Sequence, residues 1–134
     1  MILLDTAYLF ALFNPQDQWH ARAVAWTIAL QEPSLVTEYV LWEVVNGLSQ
    51  RRNRDRAHAV VEQIRCDEDC RLIPASSQLL SAGLDLHRNR PDKEWSLTDC
   101  ISFVVMEQQG ISRALTYDHH FEQAGFEALL RRDP

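Results

Sequence analysis

The chain has 134 residues, 46% of them hydrophobic and four of them tryptophan, which is enough for one core, short for two typical domains and too apolar for a disordered segment. Nineteen acids against thirteen bases leave a net charge of −6, which argues against bulk electrostatic binding of nucleic acid. No apolar run approaches the roughly 18–20 residues of a membrane-spanning helix, and three cysteines without CxxC spacing fit a reducing cytoplasm better than a disulfide framework.

"ILLD" (Ile2 to Asp5) reads as a short buried strand ending in an acid. "TAYLFALF" continues as a helix. Asp5 among these apolar residues, and the lack of a basic start, exclude a signal peptide. Asn14 to Asp17 is a turn. Ala21, Val24, Ala25, Ile28 and Ala29 recur at helical spacing between Asp17 and about Gln31. "SLVT" (Ser34 to Thr37) is a second strand. Thr37 to Gln50 is a helix with the stripe Val40, Leu41, Val44, Val45, Leu48, and Tyr39 and Trp42 on its other face predict burial nearly all round. "RRNRDR" interrupts, and a helix resumes from Ala57 to Arg65.

"CRLIPAS" (Cys70 to Ser76) holds a third strand, Leu79 to His87 a helix, and Arg88 to Trp95 a polar loop. Leu97 to Gln109 is a largely buried helix that Gly110 ends. "SRALTYD" (Ser112 to Asp118) is a fourth strand, His119 to Ala124 a short helix, and "FEALLRR" a final strand or tail. Short apolar strands alternating with helices predict an α/β fold with a parallel sheet covered on both faces, one domain over residues 1–134. In such sheets the ligand site lies beyond the C-terminal strand ends, which is where Asp5 and Asp118 fall.

Each acid also has a structural reading. Asp5 and Asp118 can cap the helices that follow them. Ser96-Leu97-Thr98-Asp99 matches a capping box, although the box prefers Glu or Gln where Asp99 stands. Glu43 and Glu38 border opposite flanks of one apolar stripe, and the helical wheel does not choose between them. His119 and His120 read as surface residues, because neighbours on a helix point apart. A phosphatase-type aspartate pair is excluded by Ala7, and a receiver-type site by the lack of any lysine except Lys93. Four acids gathered at one end would repel, by up to about 4 kcal/mol per close pair at an effective dielectric near 20. A hard divalent cation with oxygen ligands offsets that repulsion.

The segments "ILLDTAYLFAL", "LVTEYVLWEVVNGLS", "KEWSLTDCISFVVM" and "ALTYDHHFEQAGF" resemble, in order, the PIN-domain nucleases and among them the VapC-type toxins of prokaryotic type II toxin–antitoxin pairs. The resemblance implies a three-layer α/β/α, Rossmann-like fold with four or five parallel strands. It implies Mg²⁺- or Mn²⁺-dependent endonucleolytic cleavage of RNA, with Asp5, Glu43, Asp99 and Asp118 as metal-binding and catalytic acids and Thr6 and Asn46 as their neighbours. It also implies a small DNA-binding antitoxin; the apolar residues Tyr8, Phe10, Phe13, Trp19, Trp26, Tyr39 and Trp42, more than one small core absorbs, predict a homodimer with an antitoxin segment laid across a groove lined by these helices. Twelve of the thirteen bases are arginine, the better fork for phosphate. Arg51, Arg52, Arg54, Arg88 and Arg90 are the expected contacts to RNA backbone. Two readings compete: a housekeeping RNA-processing nuclease, and a non-catalytic binding module whose acids are only caps.

Overall fold

The computed structural model describes residues 1–134. The elements run β1 (Ile2–Leu4), α1 (Thr6–Phe13), α2 (His20–Ala29), β2 (Ser34–Thr37), α3 (Glu38–Gly47), α4 (Arg54–Cys66), β3 (Cys70–Ile73), α5 (Ser77–Asn89), α6 (Leu97–Gln109), β4 (Arg113–Leu115), α7 (His119–Gln123) and β5 (Glu127–Ala128). Single 3₁₀ turns at Arg51–Asn53 and Leu129–Arg131 precede α4 and follow β5. The five strands form one parallel sheet in the order β3-β2-β1-β4-β5.

Strand alternation divides the core into two layers. Ile2 and Leu4, with Val36 and Leu115, face a cluster built on Tyr8, Leu9, Trp26, Val40, Val44 and Val60 from α1 to α4. Leu3, Leu35 and Ala114 face the opposite cluster, with Ile101, Phe103, Met106 and Phe121 from α6 and α7. Both faces of the sheet are therefore covered, which explains why the central strand β1 is wholly apolar, while the polar residues Arg71, Arg113 and Glu127 fall on β3, β4 and β5. The fold is the three-layer α/β/α sandwich expected from the sequence.

The strand order also locates a crevice. The chain builds outward from β1 through β2 to β3, then crosses to the other side of β1 for β4 and β5. The order reverses between β1 and β4, and ligands in open α/β sheets bind beyond the strand ends at such a point. Asp5 follows β1 there, and Thr116 to Asp118 follow β4.

Several boundaries differ from the sequence expectations for identifiable reasons. The helix expected from Asp17 starts at His20, because the Asp17 carboxylate accepts the Trp19 N–H at 2.8 Å and folds the segment into a turn first. The arginine-rich stretch is not a break: after one 3₁₀ turn, α4 starts at Arg54. Helix α5 begins at Ser77, with the Ser76 hydroxyl accepting Leu79 N–H at 3.1 Å, and runs on through Arg88 to Asn89.

The expected surplus of aromatics is smaller than the sequence indicated. Tyr8 and Trp26 are buried, with polar ends satisfied by Thr27 and by the Arg132 carbonyl. Phe10, Phe13, Trp19 and Tyr39 are half-buried. Trp42 alone is exposed, at 63%, so α3 is not buried all round.

Helix α6 ends at Gly110 in the left-handed region, φ 66°. Ile111 N–H reaches back to the Met106 carbonyl at 2.9 Å, closing the turn that sends the chain into β4. Nothing stands within 4 Å of a Cβ built at Gly110. Gly110→Ala should therefore cost only the backbone penalty, about 1–2 kcal/mol, seen as a melting temperature lowered by several degrees. An unchanged melt would contradict it.

Candidate active site

Asp5 is only 5% exposed. Its N–H bonds the Leu115 carbonyl at 3.2 Å, extending the β1–β4 pairing one residue past the strands. It stands at the N-cap position of α1, yet its side chain makes no capping hydrogen bond. The carboxylate instead accepts the Thr116 hydroxyl at 2.7 Å, and that same Thr116 oxygen accepts Asp118 N–H at 3.0 Å. Burial is the main reason its pKa rises from 3.8 to about 7. Hydrogen bonds from Thr116 and the Thr6 backbone oppose the rise, and the charges of Asp99 and Asp118 add to it.

Asp99 does two jobs. The capping box is real: Ser96 Oγ accepts Asp99 N–H at 3.0 Å, and Asp99 Oδ2 accepts Ser96 N–H at 3.2 Å. The same carboxylate is 9% exposed and meets His120 Nδ1 at 3.2 Å. Burial raises its pKa, the Ser96 hydrogen bond opposes this, Asp118 raises it further and His120 lowers it. Asp118 caps α7 by accepting His120 N–H at 2.9 Å. His120 Nδ1 also lies 3.3 Å from Asp118 Oδ1, so the ring sits between the two carboxylates.

The structure distinguishes the two glutamates of α3. Glu38 is occupied elsewhere, accepting Ala75 N–H at 2.6 Å beyond β3. Glu43 accepts the Thr6 hydroxyl at 2.7 Å, which ties it to the residue after Asp5. A shallow hollow lined by Glu43, Asn46, Trp42, Tyr39 and Thr98 joins this side of α3 to the start of α6.

The arginines divide. Arg52 lines a groove that also contains Tyr117, the residue between Thr116 and Asp118. Arg51, Arg54 and Arg88 are exposed. Arg90 is already paired: it forks onto Asp92 with two 3.0 Å bonds and lies 4.9 Å over the Trp95 ring. Two of its nitrogens are thereby engaged within its own loop. His120 is the residue that the sequence reading placed wrongly, at the surface. Only His119 is exposed. The available signal was position: the second residue of a helix curls back over its cap, here Asp118.

The donor set is suited to a hard cation. The charges of Asp99 and Asp118 bear on Asp5, and that of Asp118 bears on Asp99, while Asp118, His119 and His120 place ligand atoms within 4.8 Å of one another. Burial and like charge favour the protonated form of Asp5, and a divalent ion bound there would compete with that proton.

The PIN domain family model matches residues 2–127. The chain belongs to the PIN domain family. As a PIN domain it is similar to VapC20 of Mycobacterium tuberculosis, a 23S rRNA-specific endonuclease, at 29% identity over 126 residues covering 94% of this chain and 95% of that one. The crystal structure of VapC20, described as a sarcin–ricin loop cleaving toxin, superposes with a TM-score of 0.87 at 27% identity over 94% of this chain and 96% of that one. FitAcB from Neisseria gonorrhoeae shares the fold, with a TM-score of 0.69 at 21% identity over 96% and 95%. A toxin–antitoxin complex from Klebsiella pneumoniae does so at 0.63 and 16% over 89% and 88%.

The raised pKa of Asp5 sets a pH dependence for the metal-free PIN domain. Its unfolded value is 3.8 and its folded value about 7. Between these values the folded state holds more protons, so stability falls as pH rises from about 4 to 7. The penalty is on the order of 4 kcal/mol above pH 7. Asp5→Asn keeps an acceptor for Thr116 and removes the charge. In EDTA it should melt higher than wild type at pH 8 and lose most of the slope between pH 4 and 7. A lower melting temperature for Asp5→Asn at pH 8 would refute this.

Proposed function

We propose that this chain is a metal-dependent endoribonuclease that hydrolyses RNA phosphodiester bonds, and that it is the toxin of a type II toxin–antitoxin pair. The observation that carries the reading is Asp5: a buried carboxylate that caps nothing and shares the end of the sheet with Asp99 and Asp118. Likeness to an RNA-cleaving toxin over nearly the whole of both chains supports it. Asp5, Asp99 and Asp118 would hold Mg²⁺ or Mn²⁺, with Glu43 beside them. Bound there, the ion would activate a water and neutralise phosphate charge.

The chain's own residues supply the rest. Thr116 fixes the Asp5 carboxylate, and Thr6 fixes Glu43. Glu43 would orient the attacking water. His120 would hold Asp99 and Asp118 in place as the charges around them change. Asn46, next to Glu43 on α3, would contact phosphate. The binding-module rival needs all the acids to be caps, and the Asp5 side chain makes no capping bond.

A toxin is held inactive by a partner, here a small DNA-binding antitoxin, and the reading places the pair in the cytoplasm. No helix is long and apolar enough to cross a membrane. For a homodimer, the candidate face is α3 and α5, which carry exposed Trp42, Leu80 and Leu84. The starts of these helices are tied through Tyr39 and Ser76.

Purified protein should cut RNA with Mg²⁺ or Mn²⁺ and stop when EDTA is added. Asp5→Asn and Asp99→Asn should each reduce cleavage to background while circular dichroism and a thermal melt report an intact fold. Full activity in either variant would remove that acid from the mechanism. Light scattering at tens of micromolar should give a dimer, and Trp42→Glu should give a monomer. A wild-type monomer would exclude this face as a homodimer interface.

A further inference from the structure

A groove of about 780 Å³ runs from the end of α1 across the end of α3 to the 3₁₀ turn and first turn of α4. This is within the range of ligand-sized clefts. Its link to the acids is Tyr117, which lines the groove and stands in sequence between Thr116, the donor to Asp5, and Asp118.

The groove wall is aromatic and the far rim is cationic. Trp19 stacks on Tyr117 with ring centroids 5.0 Å apart and planes 12° from parallel. The guanidinium of Arg22 lies 5.6 Å from the Trp19 ring. Of the two stacked rings, only Tyr117 lines the groove, so the stack of Arg22, Trp19 and Tyr117 ends there. Phe10 and Phe13 line it as well. Phe10 lies so close over Gly47 that a Cβ there would come within 2.4 Å of the ring. Glycine at this position lets the ring form part of the groove floor.

The rim arginines are unpaired. Arginine ion pairs in this molecule use Arg22, Arg90, Arg113, Arg131 and Arg132, which leaves Arg52 and Arg56 of the groove without carboxylate partners. They stand four residues apart on one side of the turn entering α4. The one acid of the lining, Asp17, is held by Trp19 N–H at 2.8 Å.

We propose that this groove is a subsite for single-stranded RNA, in which a nucleobase flanking the scissile bond stacks on Tyr117 beside Phe10 and Phe13 while Arg52 and Arg56 hold the adjoining phosphates. The proposal rests on the nuclease reading above and names residues that would set which nucleotide is accepted next to the cut. Stacking on an open aromatic face discriminates a base from its absence, and arginines read only the backbone. A protein segment would match the rings. Two guanidinium groups without carboxylate partners, in a groove lined by the residue next to Asp118, match a nucleic acid better.

The test uses fluorescently labelled RNA tetranucleotides in EDTA, where cleavage is off, at low salt. One set is intact, and in the others each position in turn is abasic. For wild type, one abasic position should weaken binding by about 5- to 100-fold. Tyr117→Leu should bind intact RNA as weakly as wild type binds that abasic oligonucleotide, and should not distinguish the two. Tyr117→Phe should behave as wild type. Arg52→Ala and Arg56→Ala should weaken every oligonucleotide alike and each reduce the salt slope by about one. Phe13→Leu provides a second ring deletion if Tyr117→Leu melts below the assay temperature.

If folded Tyr117→Leu and Phe13→Leu keep the wild-type abasic pattern while wild type still cleaves RNA with metal, the subsite is refuted and the nuclease reading stands. If wild type cleaves no RNA with either metal, the nuclease reading falls, and the subsite with it. If the ring variants leave RNA binding unchanged but weaken binding of an acidic amphipathic peptide, the groove is a protein-docking face and the proposal is overturned.

Discussion

A carboxylate buried without a cation partner is the constraint on which the rest of this structure depends. Asp5 ends the central strand of the sheet, almost out of contact with water. Its neighbours soften the cost without removing it. A threonine hydroxyl and a backbone N–H donate to it, and two further carboxylates stand close enough to oppose its ionisation. Desolvation and like charge act in the same direction, so the folded chain works against its own stability at neutral pH. The scaffold tolerates this because β1 has paired strands on both sides and apolar layers above and below.

The capping arrangements hold the other acids to the same place. Asp99, in the first turn of α6, and Asp118, at the N-cap of α7, each close that turn by hydrogen bonding. The aspartates are thereby locked by backbone geometry, with few rotamers left to search. Capping and membership of the acidic centre are compatible uses of one carboxylate, since an aspartate has two oxygens and several lone pairs. His120, fixed by the cap of its own helix, then spans both groups.

Much of this was legible in the sequence, and the limits are physical. Short apolar strands ending in acids identified the parallel sheet and the end at which the acids gather. The capping box of Asp99 could be read from spacing. Whether Asp5 capped α1 could not, because that depends on the position of Thr116, far away in sequence. Nor could a wheel separate Glu38 from Glu43, since their partners, Ala75 and Thr6, come from other elements. The aromatics were misjudged because counting side chains ignores how much surface two core layers absorb, and nothing in "HRNRPD" foretells the fork of Arg90 closing on Asp92. The net charge of −6 hid a local separation, with acids at the strand ends and unpaired arginines on the turn into α4.

The pairing of β1 with β4 has a consequence for how the molecule comes into being. Leu3 sits beside Ala114 and Leu4 beside Leu115 in the finished sheet. A nascent chain emerging from its amino end presents Asp5 early. The strand that places Thr116 and Asp118 against it is made only after more than a hundred further residues. Until then Asp5 lacks both the Thr116 hydroxyl and the neighbouring strand that cover it in the finished fold. Closing so long a loop is slow. The Asp5–Thr116 contact is therefore among the longest-range in the chain, and a chain interrupted before β4 carries Asp5 without Thr116 or Asp118.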